Sequence, residues 1–590
     1  METLANELLL DLFEYFNGID LLRGFLGLNS RFDSLLSVHF YKYRFDLRSI
    51  SKHDFDFLCH HYLPSLIHRI TSLKLSNDDE TPNLPDFFLS YGFTLNKFIR
   101  LQSLSLYSIQ SFNQLNQILF QCHQLPYLTH LYLIDGYNDD ERKDIPFLFN
   151  NIWNLSKLQH LFINYNTSGK TWLKQMTGKS LSIRYLSMEN IACSLEDTTH
   201  LVRQTPNLQY LNATIHANDN DERVFVIPSS IVSLKLAFEG SVQIMLKVFQ
   251  MVPNLQRLSL KTMDINLNGS KWRKILMSYL TQLRIFQLRM YFEFSQTKTV
   301  DEQISKLRHT FRHPFWTEKH RWFVQCDCVS FGTYHHGILY TLPYAFDTYI
   351  CYDVKRTSHT CRSMESSFWS YENVRNLQYM KYKMNPIDCS SHLPIKFTNI
   401  QQLKLGFPFD EHFYSLLPSL HQLRSVEAIL GENYNTQQLQ TLINLSPVLY
   451  SLRFFYSIDL KVSIVQLTSP SIRRLSFIAK CSITIAYFNN EECAALAYSP
   501  LGQQCEVLSI KIENRSNILD LLKTMTRLRS LVVLCKDDTW ADRDATVSKD
   551  ELIDWLRSSL PVTYSVNRDE NETSFIRIWV GDRRNSAILI

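Results

Sequence analysis

The densest group of candidate metal ligands in this sequence consists of cysteines and histidines in the middle of the chain: Cys326, Cys328, His335, His336, Cys351 and Cys361. A structural zinc site usually takes about four such ligands, in pairs roughly two to four residues apart. The first two cysteines share one face of a predicted strand, whereas the adjacent histidines point to opposite faces, so at most one of them could join. The alternative is that the cysteines pack as small apolar side chains. We favour this alternative and expect no metal and no other cofactor.

Enzyme motifs are otherwise missing from the sequence. It contains no phosphate-binding loop, no serine nucleophile elbow, no zinc-protease helix and no glycine-rich dinucleotide turn. With only 15 glycines in 590 residues, the chain is also poor in loops that let a backbone approach a ligand closely. We therefore expect a protein without catalytic activity of its own.

Composition narrows the class of partner. Hydrophobic residues make up 45% of the chain, which is typical of a folded protein. The 61 basic and 57 acidic residues nearly balance, so no overall charge favours nucleic acid or an anionic membrane as a partner. No apolar run reaches the roughly 18 residues of a transmembrane helix, and the acidic N-terminus does not resemble a secretory leader. These features predict a soluble protein of the cytoplasm or nucleus.

Arginines and lysines recur at positions that alternate with apolar strand residues and therefore point away from the core. In the first half of the chain the equivalent positions are small, polar or aromatic, for example Ser105, His130, Tyr132, His160, Phe162 and Tyr210. Further along they are cationic: Lys235, Arg257, Lys261, Arg289, Lys404, Arg453, Arg474 and Lys511. Because such cations suit carboxylates and phosphates, we expect the C-terminal half to bind an acidic or phosphorylated segment of a partner protein. The alternative is that these positions are polar only for solubility.

These positions belong to a pattern that recurs along most of the chain: an apolar residue, two others, an apolar residue, one other and an apolar residue. Clear copies are Leu101–Leu106, Leu128–Leu133 and Leu158–Ile163, and the pattern resumes at residue 377 after a long gap. Helix-compatible stretches such as 241–249 lie between copies, so each copy predicts a strand followed by a helix. A unit of this size cannot bury its apolar face alone, and its repetition predicts stacked units with a common core.

The gap and the tail have different patterns. Strands are expected over 321–329 and 338–342, where β-branched and aromatic residues dominate. Near the end, a helix is expected around 550–560 and a strand over 575–580. The terminal unit would cover the last open strand edge.

The first forty residues predict three short helices. The first is predicted from apolar residues at helical spacing: Leu4, Leu8, Leu9, Leu12, Phe13 and Phe16. Asn17-Gly18 is expected to end it, because both residues tolerate the left-handed conformation. Three helices of this size cannot form a sufficient core alone, so they must dock on something larger.

This segment resembles an F-box, the module that ties substrate receptors to the Skp-type adaptor of cullin–RING ubiquitin ligases. The stretch Asp20–Arg23 matches the family well, whereas Ala5 replaces the usual proline and Phe32 the usual tryptophan. The resemblance implies an adaptor-binding surface formed by Leu4, Leu8, Leu9, Leu12, Phe13, Phe16, Leu21 and Leu22. The alternative is a helical cap on the domain that follows.

The repeated pattern is similar to irregular leucine-rich repeats, which implies an α/β repeat solenoid with parallel strands on the concave face and helices on the convex face. The expected domains are an F-box over 1–45, a repeat segment over 46–290, an irregular insert over 291–376 that continues the sheet, and a second repeat segment with a cap over 377–590. The two resemblances together imply a substrate-recognition subunit of a cullin–RING ubiquitin ligase, in which the F-box binds the adaptor and the solenoid binds a protein marked for degradation. A non-enzymatic leucine-rich-repeat interaction scaffold is the first alternative, and a metal-dependent enzyme is a more distant one.

Overall fold

The computed structural model describes most of the chain. The described residues are 3–16, 18–39, 44–109, 111–138, 145–167, 173–217, 229–296, 298–331, 334–351, 354–359, 370–379, 395–409, 412–431, 436–456, 465–478, 487–538, 540, 550–569 and 572–583.

Helices and strands alternate over most of the chain, which confirms the predicted α/β class. The helices are α1 (Asn6–Phe13), α2 (Gly18–Phe25), α3 (Ser30–His39), α4 (Lys52–His61), α5 (Leu63–Leu66), α6 (Leu84–Ser90), α7 (Phe112–Cys122), α8 (Ile145–Trp153), α9 (Leu195–Gln204), α10 (Val242–Met251), α11 (Gly269–Tyr279), α12 (Val300–Thr310), α13 (His412–Leu416), α14 (Thr436–Asn444), α15 (Asn490–Tyr498), α16 (Pro500–Gln504), α17 (Ser516–Thr524) and α18 (Glu551–Ser559). In the described part of the chain, no helix is both long and apolar enough to span a lipid bilayer.

The strands form two sheets. They are β1 (Arg44–Asp46), β2 (Ser72–Ser76), β3 (Ser103–Tyr107), β4 (His130–Asn138), β5 (His160–Thr167), β6 (Tyr185–Cys193), β7 (Tyr210–His216), β8 (Ser233–Glu239), β9 (Arg257–Met263), β10 (Ile285–Glu293), β11 (Phe323–Phe331), β12 (Tyr334–Leu342), β13 (Thr348–Cys351), β14 (Val354–His359), β15 (Asn376–Tyr379), β16 (Gln402–Phe407), β17 (Ser425–Leu430), β18 (Ser451–Tyr456), β19 (Arg474–Ser476), β20 (Val507–Ile512), β21 (Ser530–Cys535), β22 (Ser565–Arg568) and β23 (Phe575–Trp579). In the first sheet, β1 to β10 pair in parallel and in chain order, and β12, β11 and β14 follow as antiparallel strands. In the second sheet, β13 and β15 to β21 pair in parallel, and β23 and β22 complete it as antiparallel strands.

The parallel register places equivalent apolar residues side by side. One buried row in the first sheet consists of Leu73, Leu104, Leu131, Leu161, Leu186, Leu211, Leu234 and Leu258. The matching row in the second sheet consists of Leu377, Leu403, Val426, Leu452, Leu475, Leu508 and Leu531. Each row buries apolar surface that a single strand and helix would leave exposed, and each such side chain contributes about 1.5–3 kcal/mol.

Helices cover the apolar side of the sheets, and α10 shows how the sequence forms them. The Ser241 hydroxyl accepts a hydrogen bond from the backbone N–H of Ile244 and so caps the helix N-terminus. Met245 and Val248 then face the core of the first sheet. The helix predicted over 241–249 is confirmed as α10, with its end two residues later.

The three helices predicted in the first forty residues are confirmed, but the first boundary differs. α1 ends at Phe13, and Gly18 begins α2 rather than ending α1. The helices share a small core made of Leu9, Phe13, Leu21, Phe25, Phe32, Leu35 and Leu36. Leu22 packs in the core of the first sheet, and Leu26 contacts both cores, so the three helices are seated on the strand array.

The strands predicted over 321–329 and 338–342 are confirmed as β11 and β12, which form an antiparallel hairpin. The hairpin joins the sheet at β10, where the ring of Phe292 lies over Gly337; a Cβ at that glycine would be only 2.3 Å from the ring. Strands β12, β11 and β14 therefore continue the first sheet and end it, and the second sheet begins at β13. This division was not indicated by the sequence pattern.

The helix and strand expected near the end are confirmed as α18 and β23, and β23 pairs with the edge of β21. The last strand also packs against the beginning of the chain. Trp579 is fully buried, with its ring 5.5 Å from that of Phe55 and 6.0 Å from that of Phe87. The Lys52 ammonium lies over the same group, 4.7 Å from the Phe87 ring.

Charged side chains extend this contact. Glu80 accepts hydrogen bonds from Arg529 at 3.0 Å, from Arg474 at 3.3 Å and from the Tyr450 hydroxyl at 3.2 Å. Asp79 accepts a further bond from Arg474 at 2.9 Å. The Glu80 side chain is only 7% exposed, and the side chains of Arg474 and Arg529 are 18% and 12% exposed. This is a buried ionic contact, so losing one partner is costly.

Arg577 on β23 contributes the last part of the contact. Its guanidinium donates to the side-chain and backbone oxygens of Asn77 at 3.0 and 2.7 Å, and lies 3.6 Å from Asp569. We call this region the end junction, made of Asn77, Asp79, Glu80, Tyr450, Arg474, Arg529, Arg577 and Trp579. It joins the start of the first sheet to the end of the second.

Shortening one leucine of the buried row tests the register. Leu258 is 1% exposed, so Leu258→Ala should lower the free energy of unfolding by about 2–5 kcal/mol through lost burial and a residual cavity. Met277→Ala on α11, where the side chain is 58% exposed, should change it by less than about 0.5 kcal/mol. Urea unfolding followed by circular dichroism measures both. Equal stability of the two variants would contradict the register.

Neutralising Glu80 tests the end junction. Burial alone would raise the pKa of Glu80, but the hydrogen bond from Ser49 and the charges of Arg529 and Arg474 outweigh it and lower the pKa below its ordinary 4.5. Since the folded-state pKa is the lower one, the stabilisation is complete above about pH 5 and is lost as pH falls through the folded-state value. Glu80→Gln should therefore lower the free energy of unfolding at neutral pH by about 3–5 kcal/mol.

The measurement is urea unfolding of wild type and Glu80→Gln from neutral to acidic pH. The difference between the two proteins should shrink as pH falls. Glu293→Gln, which removes an exposed carboxylate at the end of β10, should have a small effect at every pH. A Glu80→Gln effect that is independent of pH would count against the ionic contact.

Candidate functional site

One candidate surface is the outer face of α1. Of the residues expected there, Leu4, Leu8 and Phe16 are 38%, 55% and 42% exposed, and Leu12 is half-buried. Tyr15 beside them is 88% exposed. These positions are spaced three to four residues apart, so they form one apolar stripe along α1 and its ends.

The other four residues expected at this surface lie elsewhere. Leu9, Phe13 and Leu21 are fully buried in the core of the three helices, and Leu22 is buried in the core of the first sheet. They hold the helices in place and do not form a contact surface. The helical spacing alone could not separate the two sets, because both follow the same period.

Arg31 fixes the start of α1, where the expected proline is replaced by Ala5. Its guanidinium donates to Asn6 Oδ1 at 2.9 Å and also to the carbonyl of Leu4. A side chain from α3 thereby orients the backbone that leads into α1. The stripe begins at this fixed point.

A second candidate surface is the face of the first sheet opposite the buried leucines, which we call the polar face. An aromatic ladder crosses it from β4 to β7. The rings of His130 and His160 stack 4.2 Å apart, those of His160 and Tyr185 stack 4.3 Å apart, and Tyr210 follows at 6.1 Å. Burial lowers the pKa of both histidines, and the charge on His130 would lower that of His160 further, so the ladder is uncharged at neutral pH.

Cations follow the ladder on β8 to β10. Lys261 and Arg289 are directly opposite each other in register, and Lys235 is one strand away. Arg257 is exposed at the start of β9. The Lys235 ammonium is 3.8 Å from Glu189, and that of Lys261 lies 5.3 Å from the ring of Phe346. Lys235, Lys261 and Arg289 are half-buried on the polar face.

The cations expected on the second sheet are already engaged. Arg453 and Lys404 share Glu427, at 3.0 and 3.8 Å. Arg474 is an integral part of the end junction. Lys511 is buried, with only 7% of its surface exposed. Sequence alternation placed these residues away from the leucine core, but it could not show which carboxylates they meet.

A buried carboxylate with tyrosines lies where the two sheets meet near the middle of the chain, a place we call the central seam. Asp327 accepts hydrogen bonds from the Tyr340 hydroxyl and from Gln325 Nε2, both at 2.8 Å. The Tyr340 hydroxyl also lies 3.2 Å from that of Tyr371 and 3.5 Å from that of Tyr349. Burial, and next the charge of Asp327, raise the pKa of Tyr340 and of Tyr349, so both phenols stay protonated. The sequence reasoning missed this group; its one signal was an aspartate alternating with two buried cysteines.

Cys326 and Cys328, the first candidate metal ligands, point to the opposite side of β11. Both are buried in the apolar core of the first sheet. The ring of His336 stacks instead on Tyr291, 5.2 Å away. Among the residues that the structure describes, no three His, Cys, Asp or Glu side chains are grouped as metal ligands; Cys361 lies outside them.

Alkylation distinguishes packed cysteines from metal ligands. Burial raises the pKa of the Cys326 thiol well above its ordinary value, so the reactive thiolate is scarce. We expect Cys326 and Cys328 to resist iodoacetamide in the native protein, with or without a chelator, and to react after unfolding, as read by mass spectrometry. Labelling that appears when the chelator is added to the native protein would instead indicate a metal site.

A scan against protein-family models gives no match, and a search of curated proteins gives none either.

Proposed function

We propose that this chain is the substrate-recognition subunit of a cullin–RING ubiquitin ligase. In this proposal, residues 1–45 are an F-box that binds a Skp-type adaptor, and the strands that follow are an irregular leucine-rich-repeat solenoid that binds the target protein. The observation that carries it is the apolar stripe of Leu4, Leu8, Leu12 and Phe16 on a helix that is itself firmly seated. A protein working in such a ligase would lie in the cytoplasm or nucleus.

The stripe supports a protein partner for physical reasons. Its side chains leave apolar area in water although Leu9 and Phe13 on the same helix are completely buried. Contiguous exposed apolar side chains typically mark an interaction site. A second helix or a sheet edge from an adaptor could cover the stripe without disturbing the core below it.

The strand array supports the second half of the proposal. Parallel strands in chain order with connecting helices are the arrangement expected of leucine-rich repeats. The polar face offers aromatic rings and cations in rows on fixed strands, which suits recognition of a protein segment. In this proposal the chain acts by positioning its target.

The mechanism is tethering. The adaptor-bound helices and the target-bound strands belong to one connected body, because Leu22 and Leu26 fix the helices to the first sheet. A target held there has a high effective concentration near the ubiquitin carrier, which raises the rate of transfer without any reactive group in this chain.

The same packing of Leu22 favours one alternative. Helices seated in this way could be only a cap on a non-enzymatic leucine-rich-repeat scaffold. The scaffold also binds proteins, but it needs no adaptor. The two functions therefore differ in what the stripe contacts.

A charge placed in the stripe separates them. Leu8→Glu should abolish retention of the chain on its own organism's immobilised Skp-type adaptor, because a carboxylate would be buried in an apolar contact. Phe120→Glu on α7 is the matched control, since that side chain is 68% exposed and far along the chain from the stripe. It should be retained like the wild type. Phe13 is unsuitable for this test, because it is fully buried and its replacement would unfold the helices.

Circular dichroism should show both variants folded. Failure of the wild type to bind the adaptor, or equal retention of Leu8→Glu, would contradict the proposal and leave the scaffold as the better account.

A further inference from the structure

The four cations of β8 to β10, Lys235, Arg257, Lys261 and Arg289, outnumber the carboxylates beside them, which are Glu189, Asp347 and Asp327. Lys261 and Arg289 are opposite each other on adjacent parallel strands, and like charges in that position repel. Within the described residues, neither of them forms an ion pair within 4 Å, and Lys235 pairs with Glu189 at 3.8 Å. The group thus carries more positive than negative charge.

Lys261 itself is half-buried. Burial lowers its pKa, and the charges of Arg289 and Lys235 lower it further, while those of Asp347 and Glu189 oppose this. A half-buried ammonium beside two other cations would be stabilised by an anion that binds from the solvent. The ring of Phe346, 5.3 Å away, limits the directions in which the lysine can turn.

The second sheet provides the contrast. Of the cations expected there, Arg453 and Lys404 share Glu427, Arg474 meets Asp79 and Glu80, and Lys511 is buried. If these cations served only solubility, we would expect them to be paired to a similar extent in both sheets. The unbalanced group on β8 to β10 therefore indicates a binding site, and it lies before the C-terminal half in which the sequence placed it.

The aromatic ladder indicates the kind of ligand. His130, His160 and Tyr185 stack on one another at 4.2–4.3 Å, so the ring faces between them are occupied and a base could not insert there. Binding of single-stranded nucleic acid uses free ring faces on which bases stack. Ring edges on strands β4 to β7 instead suit the apolar and aromatic side chains of a peptide.

We propose that the polar face binds an extended acidic peptide segment that runs across the strands, with its carboxylates or phosphates at Lys235, Lys261 and Arg289 and its apolar side chains on the ladder from His130 to Tyr210. The apolar part of the peptide would lie on β4 to β7 and its anionic part on β8 to β10, because the ladder and the cations lie on successive strands. Lys and Arg bind both carboxylate and phosphate through charge-assisted hydrogen bonds. The inference rests on the proposed function in one respect: the segment belongs to the target protein.

Fluorescence anisotropy with the full chain tests the site. The probes are three fluorescein-labelled peptides with the same aromatic half, followed by glutamates, phosphoserines or glutamines. We expect the glutamate or the phosphoserine peptide to bind, and the stronger of the two identifies the anionic group. The glutamine peptide should bind at least about tenfold more weakly, because it lacks the charge-assisted contacts.

The variant Lys261→Met/Arg289→Met should weaken binding of the anionic peptide at least about tenfold. The matched control is Lys404→Met/Arg453→Met, which removes the same charges from the second sheet and should leave affinity unchanged.

If the first variant does not fold, Lys235→Met gives the same readout with a smaller loss. Equal binding of the glutamine peptide, undiminished binding by the folded Lys261 and Arg289 variant, or no binding of any peptide would overturn the proposal. Because the assay contains no adaptor, a negative result would leave adaptor binding unaffected, and the two proposals can fail separately.

Discussion

Parallel pairing of strands in chain order, with leucine beside leucine, is the constraint on which the rest of the structure depends. Side chains alternate along a strand, so a slip of one residue would bring the polar face into the core. The buried row from Leu73 to Leu258 excludes that slip over most of the first sheet. The aromatic ladder and the cations line up across strands because the leucines behind them do.

Two contacts between the sheets hold the stacked strand–helix units of both sheets together. The central seam joins them through Asp327 and its tyrosines, and the end junction joins them through Glu80 and its arginines. Both use buried polar groups. Because such groups are costly to desolvate, each contact is favourable only in the geometry that satisfies its hydrogen bonds. The end junction also accounts for Arg474, a cation that would otherwise be available to a ligand. The two surfaces that we propose for recognition, the stripe on α1 and the polar face of the first sheet, lie outside the hydrogen bonds of these contacts.

The sequence predicted the features that depend on local periodicity. The three N-terminal helices, the hairpin of β11 and β12, α10, α18 and β23 are all found near their predicted positions, although α1 ends earlier than predicted, at Phe13. Contacts between distant parts of the chain were not predictable in the same way. Arg474 and Asp79 are 395 residues apart, and no periodic signal relates them. Likewise, Leu8 and Phe13 follow one helical pattern, yet only packing against α2 and α3 decides that the first is exposed and the second buried.

The most direct test of the central proposal is hydrogen–deuterium exchange of the full chain, alone and with the Skp-type adaptor. Binding through the stripe predicts slower exchange of backbone amides between residues 4 and 16 in the presence of the adaptor, with the strands of both sheets unchanged. Unchanged exchange in this segment, or protection confined to the strands, would contradict the assignment of the N-terminal helices as the adaptor-binding module.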